Sequence, residues 1–230
     1  MWIARINAGV VLSVIAWCAA PLEAGALEKC PDSPVYVSAS STQVRDLICR
    51  GAFDAIEMLK KCEIHIRRPV TVLTLEQVRH PLGQVIIALS EPTRERVLIT
   101  TYEKIRDLIE ETPYRVLPLG DFYRSMVVHE IVHAILNQLY RVRPNNNARN
   151  EYPAYALQIA SLPIASRHLF LDEASKRGDT RELRMNDIIL SFDPFLFAAR
   201  AYDHLSASPN GCANLAGLLG GNAEFIADLQ

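Results

Sequence analysis

The sequence predicts an α+β fold: a small mixed sheet packed on helices, followed by a helical C-terminal part. Two observations carry this. Short β-branched runs are confined to the first 101 residues, and from Asp121 onward the pattern is helical. Half of the 230 residues are hydrophobic and 22% are charged, so the chain has the material for a sizeable core and is not a disordered tail.

In chain order, Val35–Ala39 alternates and reads as a strand. Ser41 or Thr42 caps a helix over 42–61, with apolar positions at Val44, Leu47, Ile48, Ala52, Ala55, Ile56 and Leu59. Val70–Thr74, Gln84–Leu89 and Arg96–Thr101 are strand-like, with turns at 79–83 and 91–93. Tyr102–Glu111 is a short helix, and Pro113 and Pro118 bracket an extended piece. Asp121 caps a helix to about Arg141, and Arg143–Ala148 is a loop. A further helix starts near Asn150, with Pro153 in its first turn, and others cover 165–176 and 186–205. Phe192, Phe195 and Phe197 read as core, while His65 and His80 read as surface.

The N-terminus bears on compartment. Arg5, an apolar run from Ala8 to Pro21, and Ala24-Gly25-Ala26 have the layout of a secretory signal peptide cleaved after Ala26. An uncleaved anchor is the alternative, but the run is short of the roughly 20 residues a span needs. The expected organisation is a signal peptide over 1–26 and one domain over 27–230, with a core at 35–160 and a helical lobe at 161–230. The expected product is exported, periplasmic or secreted, with no stable membrane insertion after cleavage. Formal net charge is −2 and no basic stripe stands out, which argues against a nucleic-acid partner.

Four cysteines remain after cleavage: Cys30, Cys49, Cys62 and Cys212. An even count in an exported chain suggests two disulfides. Cys49 and Cys62 are 13 positions apart on the first helix, roughly 20 Å, whereas a disulfide needs Cα atoms within about 7 Å. An extended segment from Cys30 to Ser41 spans roughly 36 Å, and the helix back to Cys62 about 31 Å. That favours Cys30–Cys62 with Cys49–Cys212. The alternative is Cys30–Cys49 with Cys62–Cys212.

The chemistry sits in His129-Glu130-Ile131-Val132-His133. Positions i and i+4 of a helix share a face, so both imidazoles can reach one zinc ion, and the intervening Glu lies beside the attacking water. Between Met126 and Leu136 only His129, Glu130 and His133 interrupt an apolar stretch. Such groups are costly in a buried helix unless paired or bound to metal. Zinc needs a third protein ligand. The positions where the glycine and the third histidine of the extended motif would fall are Leu136 and Leu139. A glutamate on the next helix, Glu151, is the remaining arrangement, with His168 as a remote alternative.

This pattern, in the context Asn150-Glu151-Tyr152-Pro153, resembles the gluzincin zinc metallopeptidases, thermolysin and the aminopeptidases among them, over residues 35–160. The resemblance implies a zincin-like core with one zinc per chain, His129, His133 and Glu151 as ligands, and Glu130 as general base. Two departures stand out. The spacer between His133 and Glu151 is 17 residues, one short of the aminopeptidase pattern. Four positions after the ligand Glu, where thermolysin-like enzymes place an Asp that supports a ligand His, stands Tyr155.

Tyr152, Tyr155, Tyr202 and His204 are candidate donors to a developing oxyanion. Arg96–Thr101 is the candidate cleft edge for an extended peptide. The expected activity is zinc-dependent hydrolysis of peptide or protein substrates. The alternative is a zinc-binding secreted domain without turnover, acting as a binding or assembly module.

Overall fold

A computed structural model describes residues 26–80, 83–139, 147–179, 184–207, 211, 212 and 215. The expected signal peptide lies outside them except for Ala26. The fold is α+β. Among the described residues, the strands β1 (Glu28–Lys29), β2 (Val35–Ser38), β3 (Val70–Leu75), β4 (Val78–Arg79), β5 (Val85–Ile86), β6 (Ala88–Glu91) and β7 (Arg96–Thr100) combine with helices. The helices are α1 (Thr42–Lys60), α2 (Tyr102–Ile109), α3 (Leu119–Leu139), α4 (Asn147–Ser161), α5 (Ile164–Arg177), α6 (Asp187–Phe192) and α7 (Pro194–Ala207).

The main sheet runs β1-β2-β3-β7-β6. β2, β3 and β7 are parallel, in the register Val37↔Val72↔Val97, and β1 and β6 are antiparallel edges. The alternation seen in the sequence places Val35, Val37, Val70, Val72, Val97 and Ile99 in the core. One hydrophobic cluster joins these residues to α1, α3, α4 and α7. Gly51 lets α1 approach α3: a Cβ there would stand 2.7 Å from the Arg124 carbonyl oxygen.

Several elements differ from expectation, each for a local reason. Residues 84–89 form two strands, because β5 pairs with β4 as a separate hairpin while β6 pairs with β7. β7 is therefore internal, and the sheet edge beside α3 is β6, not Arg96–Thr101. Pro113 opens a 3-10 turn over Pro113–Val116 in place of an extended piece, closed by the Leu117 N–H on the Tyr114 carbonyl. α3 begins at Leu119, so Asp121 lies in its first turn and accepts from the Ser166 hydroxyl. α4 begins at Asn147, because Asp187 accepts the otherwise unpaired Ala148 N–H at 2.6 Å. Pro153 therefore falls in the second turn. The expected helix over 186–205 is two helices. Asn186 caps α6, and Asp193 accepts from the Leu196 N–H to cap α7, whose first residue is Pro194. Phe195 and Phe197 are buried as expected, but Phe192 is 85% exposed on the short α6.

The disulfides are Cys30–Cys49 and Cys62–Cys212, which overturns the favoured pairing Cys30–Cys62 with Cys49–Cys212. The segment after Cys30 is not extended throughout. It turns at once, with the Cys30 N–H on the Val35 carbonyl, and β1 folds back antiparallel on β2. The extended stretch is then only Val35–Ser38, about 13 Å, and about 10 Å of helix, as far as Cys49, returns the chain to Cys30.

Candidate metal centre

α3 carries His129, Glu130 and His133 through the middle of the core, between α1, α4 and the β6 edge. Helical spacing brings the two imidazoles together, with ring centroids 4.8 Å apart. α4 packs on α3 and presents Glu151. The Nε2 atoms of His129 and His133 are 3.1 Å apart, and Glu151 Oε2 lies 3.2 Å from the first and 3.3 Å from the second. Among the described residues this is the one group of His, Cys, Asp and Glu side chains able to share an ion. His168 is not part of it. The site opens outward: the His129 side chain is 7% exposed, whereas the Glu151 side chain is 30% exposed.

The electrostatics follow from this crowding. Burial opposes charge on His133, but the neighbouring Glu151 carboxylate and its hydrogen bond outweigh burial and raise the imidazole to about 9. Burial acts to raise Glu151, yet the two histidines hold its carboxyl well below the usual range. Burial pushes the Glu130 carboxyl up, against His129, His133 and the Ser90 backbone N–H, which donates to it from β6.

The other candidates separate. The Tyr155 ring stands edge-on to His129, centroids 4.6 Å apart, and burial raises its hydroxyl well above its usual range. The Tyr152 hydroxyl shares a 2.8 Å hydrogen bond with His204 Nδ1, linking α4 to α7. The Tyr202 hydroxyl accepts from Arg167 at 3.0 Å. Three residues that the sequence did not single out also belong here. Gln158 faces His129 Nδ1 at 3.1 Å, Ser90 reaches Glu130, and Tyr114 lies within electrostatic reach of Glu151 and Tyr155. Only Gln158 had a sequence signal, as the one amide in the run Ala154–Ala160.

A model described as a family of unknown function, DUF6639, matches residues 35–228. The chain belongs to that family. No curated protein and no solved structure matches it. The DUF6639 match runs from β2 past Cys212, so it contains the sheet except for β1, the His-His-Glu cluster and both helices that carry it.

The donor set of this DUF6639 chain suits zinc. A tetrahedral ion with bonds of about 2.0–2.1 Å separates its ligand atoms by about 3.3 Å. The three candidate ligand atoms here stand 3.1–3.3 Å apart. Two imidazoles, one carboxylate and an open outer side are the donor pattern of catalytic zinc sites.

Proposed function

We propose that this chain is an exported zinc-dependent peptidase of gluzincin type. The observation that carries the reading is the triangle of His129 Nε2, His133 Nε2 and Glu151 Oε2, with Glu130 buried one residue from the first ligand. His129, His133 and Glu151 would hold the ion. The chemistry zinc supplies at such a site is Lewis-acid polarisation of a carbonyl and acidification of water.

Glu130 is the general base. It accepts a proton from the attacking water and returns it to the leaving amine. Burial raises this carboxyl, which favours its taking up a proton. The Ser90 N–H and the helix hold it in place. Tyr155 is the preferred oxyanion donor, because its ring touches a ligand imidazole while Tyr152, Tyr202 and His204 have partners of their own. Tyr155 stays protonated, as a donor must.

The β6 edge beside Glu130 is the place for an extended peptide. Two disulfides support export, and among the described residues no helix is long and apolar enough to cross a membrane.

The test is metal content and turnover on chain made in an oxidising compartment. The parent should hold about one zinc, and Glu151→Ala much less. Glu130→Gln should keep zinc and lose cleavage of a peptide library. Zinc retained in Glu130→Gln with cleavage as fast as the parent removes the base assignment. Zinc in the parent with no cleavage of any peptide leaves the binding-module reading.

A further inference from the structure

Gln158 lies on α4 seven residues after Glu151, two turns along the same face, and is completely buried. Its side-chain nitrogen lies 3.4 Å from Ser125 Oγ and 3.1 Å from Met126 Sδ, and its oxygen lies 3.1 Å from His129 Nδ1. Donor and acceptor capacities decide that orientation. Ser125 Oγ donates its single hydrogen to the Phe122 carbonyl at 2.8 Å, so toward Gln158 it only accepts. A thioether sulfur also only accepts. Both contacts therefore require the amide nitrogen, which leaves the amide oxygen for His129. That oxygen can only accept, so the proton of the neutral ring is on Nδ1.

We infer that the chain Phe122–Ser125–Gln158 fixes His129 in the tautomer protonated at Nδ1 and aims its Nε2 lone pair at His133 and Glu151. Gln158 is thus a positioning residue. It touches no reacting atom, and it sets which ring nitrogen the cluster receives. The cluster then brings Nε2 of His129, Nε2 of His133 and Oε2 of Glu151 within 3.1–3.3 Å of one another. The support is a neutral amide on α4, at a position other than the one where the thermolysin-like pattern places a carboxylate. The consequence for metal binding rests on the zinc reading above. The tautomer does not.

The first measurement is two-bond 1H–15N correlation on the metal-free full chain with labelled histidine, with His129 assigned from a His129→Asn spectrum. The neutral ring should show the Nδ1–H pattern. An Nε2–H pattern overturns the inference whatever zinc does. The second is zinc affinity by competition with a chromophoric chelator. Gln158→Leu should bind roughly 10- to 100-fold more weakly than the parent, the range for lost support of a ligand histidine. Gln158→Glu, which keeps an acceptor for Nδ1–H, should recover most of that loss. Equal zinc affinity in a folded Gln158→Leu overturns the positioning role. Where Gln158→Leu does not fold, the parent spectrum and Gln158→Glu decide: affinity as weak as that range in a folded Gln158→Glu also overturns the role. A parent that shows Nδ1–H but binds no zinc removes the zinc reading and keeps this one.

Discussion

A zinc ion entering the cluster would have to displace a proton. In the metal-free chain the Glu151 carboxylate holds His133 protonated up to about pH 9, whereas a ligand imidazole must offer a lone pair. At pH 7 about one molecule in 100 has His133 neutral, so apparent affinity should be about 100-fold below its high-pH limit, roughly 2.7 kcal/mol at 1.36 kcal/mol per pH unit. Between pH 7 and 9 the dissociation constant should fall roughly 50-fold. A histidine with the ordinary value of about 6.5 would give almost no change over that interval. Glu151 contributes no slope there, since its carboxyl is held low and ionised throughout. The assay is chelator competition at pH 7, 8 and 9, corrected for chelator protonation, beside calorimetry in two buffers of different ionisation enthalpy. About one proton should be released per zinc near pH 7. Affinity flat within threefold, with no proton released, would refute the coupling of His133 to Glu151. Glu151→Gln should flatten the pH dependence as well as weaken binding.

The same pair predicts how the metal-free fold responds to pH. A folded-state value raised from 6.5 to about 9 stabilises the fold fully below about pH 6.5, and the contribution is lost as pH rises through about 9. Urea unfolding in chelator should therefore show stability falling by up to roughly 3 kcal/mol across that window; stability that rises there contradicts the assignment. Gly51→Ala should destabilise by about 1–2 kcal/mol, because overpacking against the Arg124 carbonyl and Val127 exceeds the gain in helix propensity; an unchanged urea midpoint would show that α1 and α3 have slack. Chain entropy assigns about 5 kcal/mol to the disulfide closing 150 residues and about 3 kcal/mol to the one closing 19. The paired Cys62/Cys212→Ser variant should then lose more denaturant resistance than Cys30/Cys49→Ser, and the reverse order would count against that account.

What was legible in the sequence was what is local. His129, Glu130 and His133 lie within five residues on one helix, so 3.6-residue periodicity alone places them. Glu151 was legible because the following helix starts just before it. The strands β2, β3 and β7 were legible because alternate positions, Val35 and Val37, Val70 and Val72, Val97 and Ile99, are β-branched and face the core; that they run parallel was not. The disulfide pairing was not, since it depends on a turn that brings Cys30 back beside Val35; Pro31-Asp32-Ser33-Pro34 signals a turn, but not that β1 folds back on β2 through it. The break at Asp193 was hidden by apolar residues on both sides of it, although an Asp before Pro194 is itself a capping signal.

Gln158 was the least legible part of the site, and its charge gives it a physical rationale. The resemblance to thermolysin-like enzymes directs attention four residues beyond Glu151, where Tyr155 covers the His129 ring with an aromatic edge. The polar support comes one turn later, from an amide. With a divalent ion bound, Glu151 ionised and Glu130 ionised, two negative charges balance two positive ones, and both histidines are neutral. His129, Glu130 and Gln158 are all at most 6% exposed, so an extra charge among them would be costly. A carboxylate behind His129 would leave the centre at −1. An amide holds the same tautomer and leaves it at zero. Without the ion nothing offsets that added buried charge, so Gln158→Glu should hold zinc while lowering the stability of the metal-free chain. A metal-free Gln158→Glu as stable as the parent would mean that the centre tolerates the added charge or protonates it away.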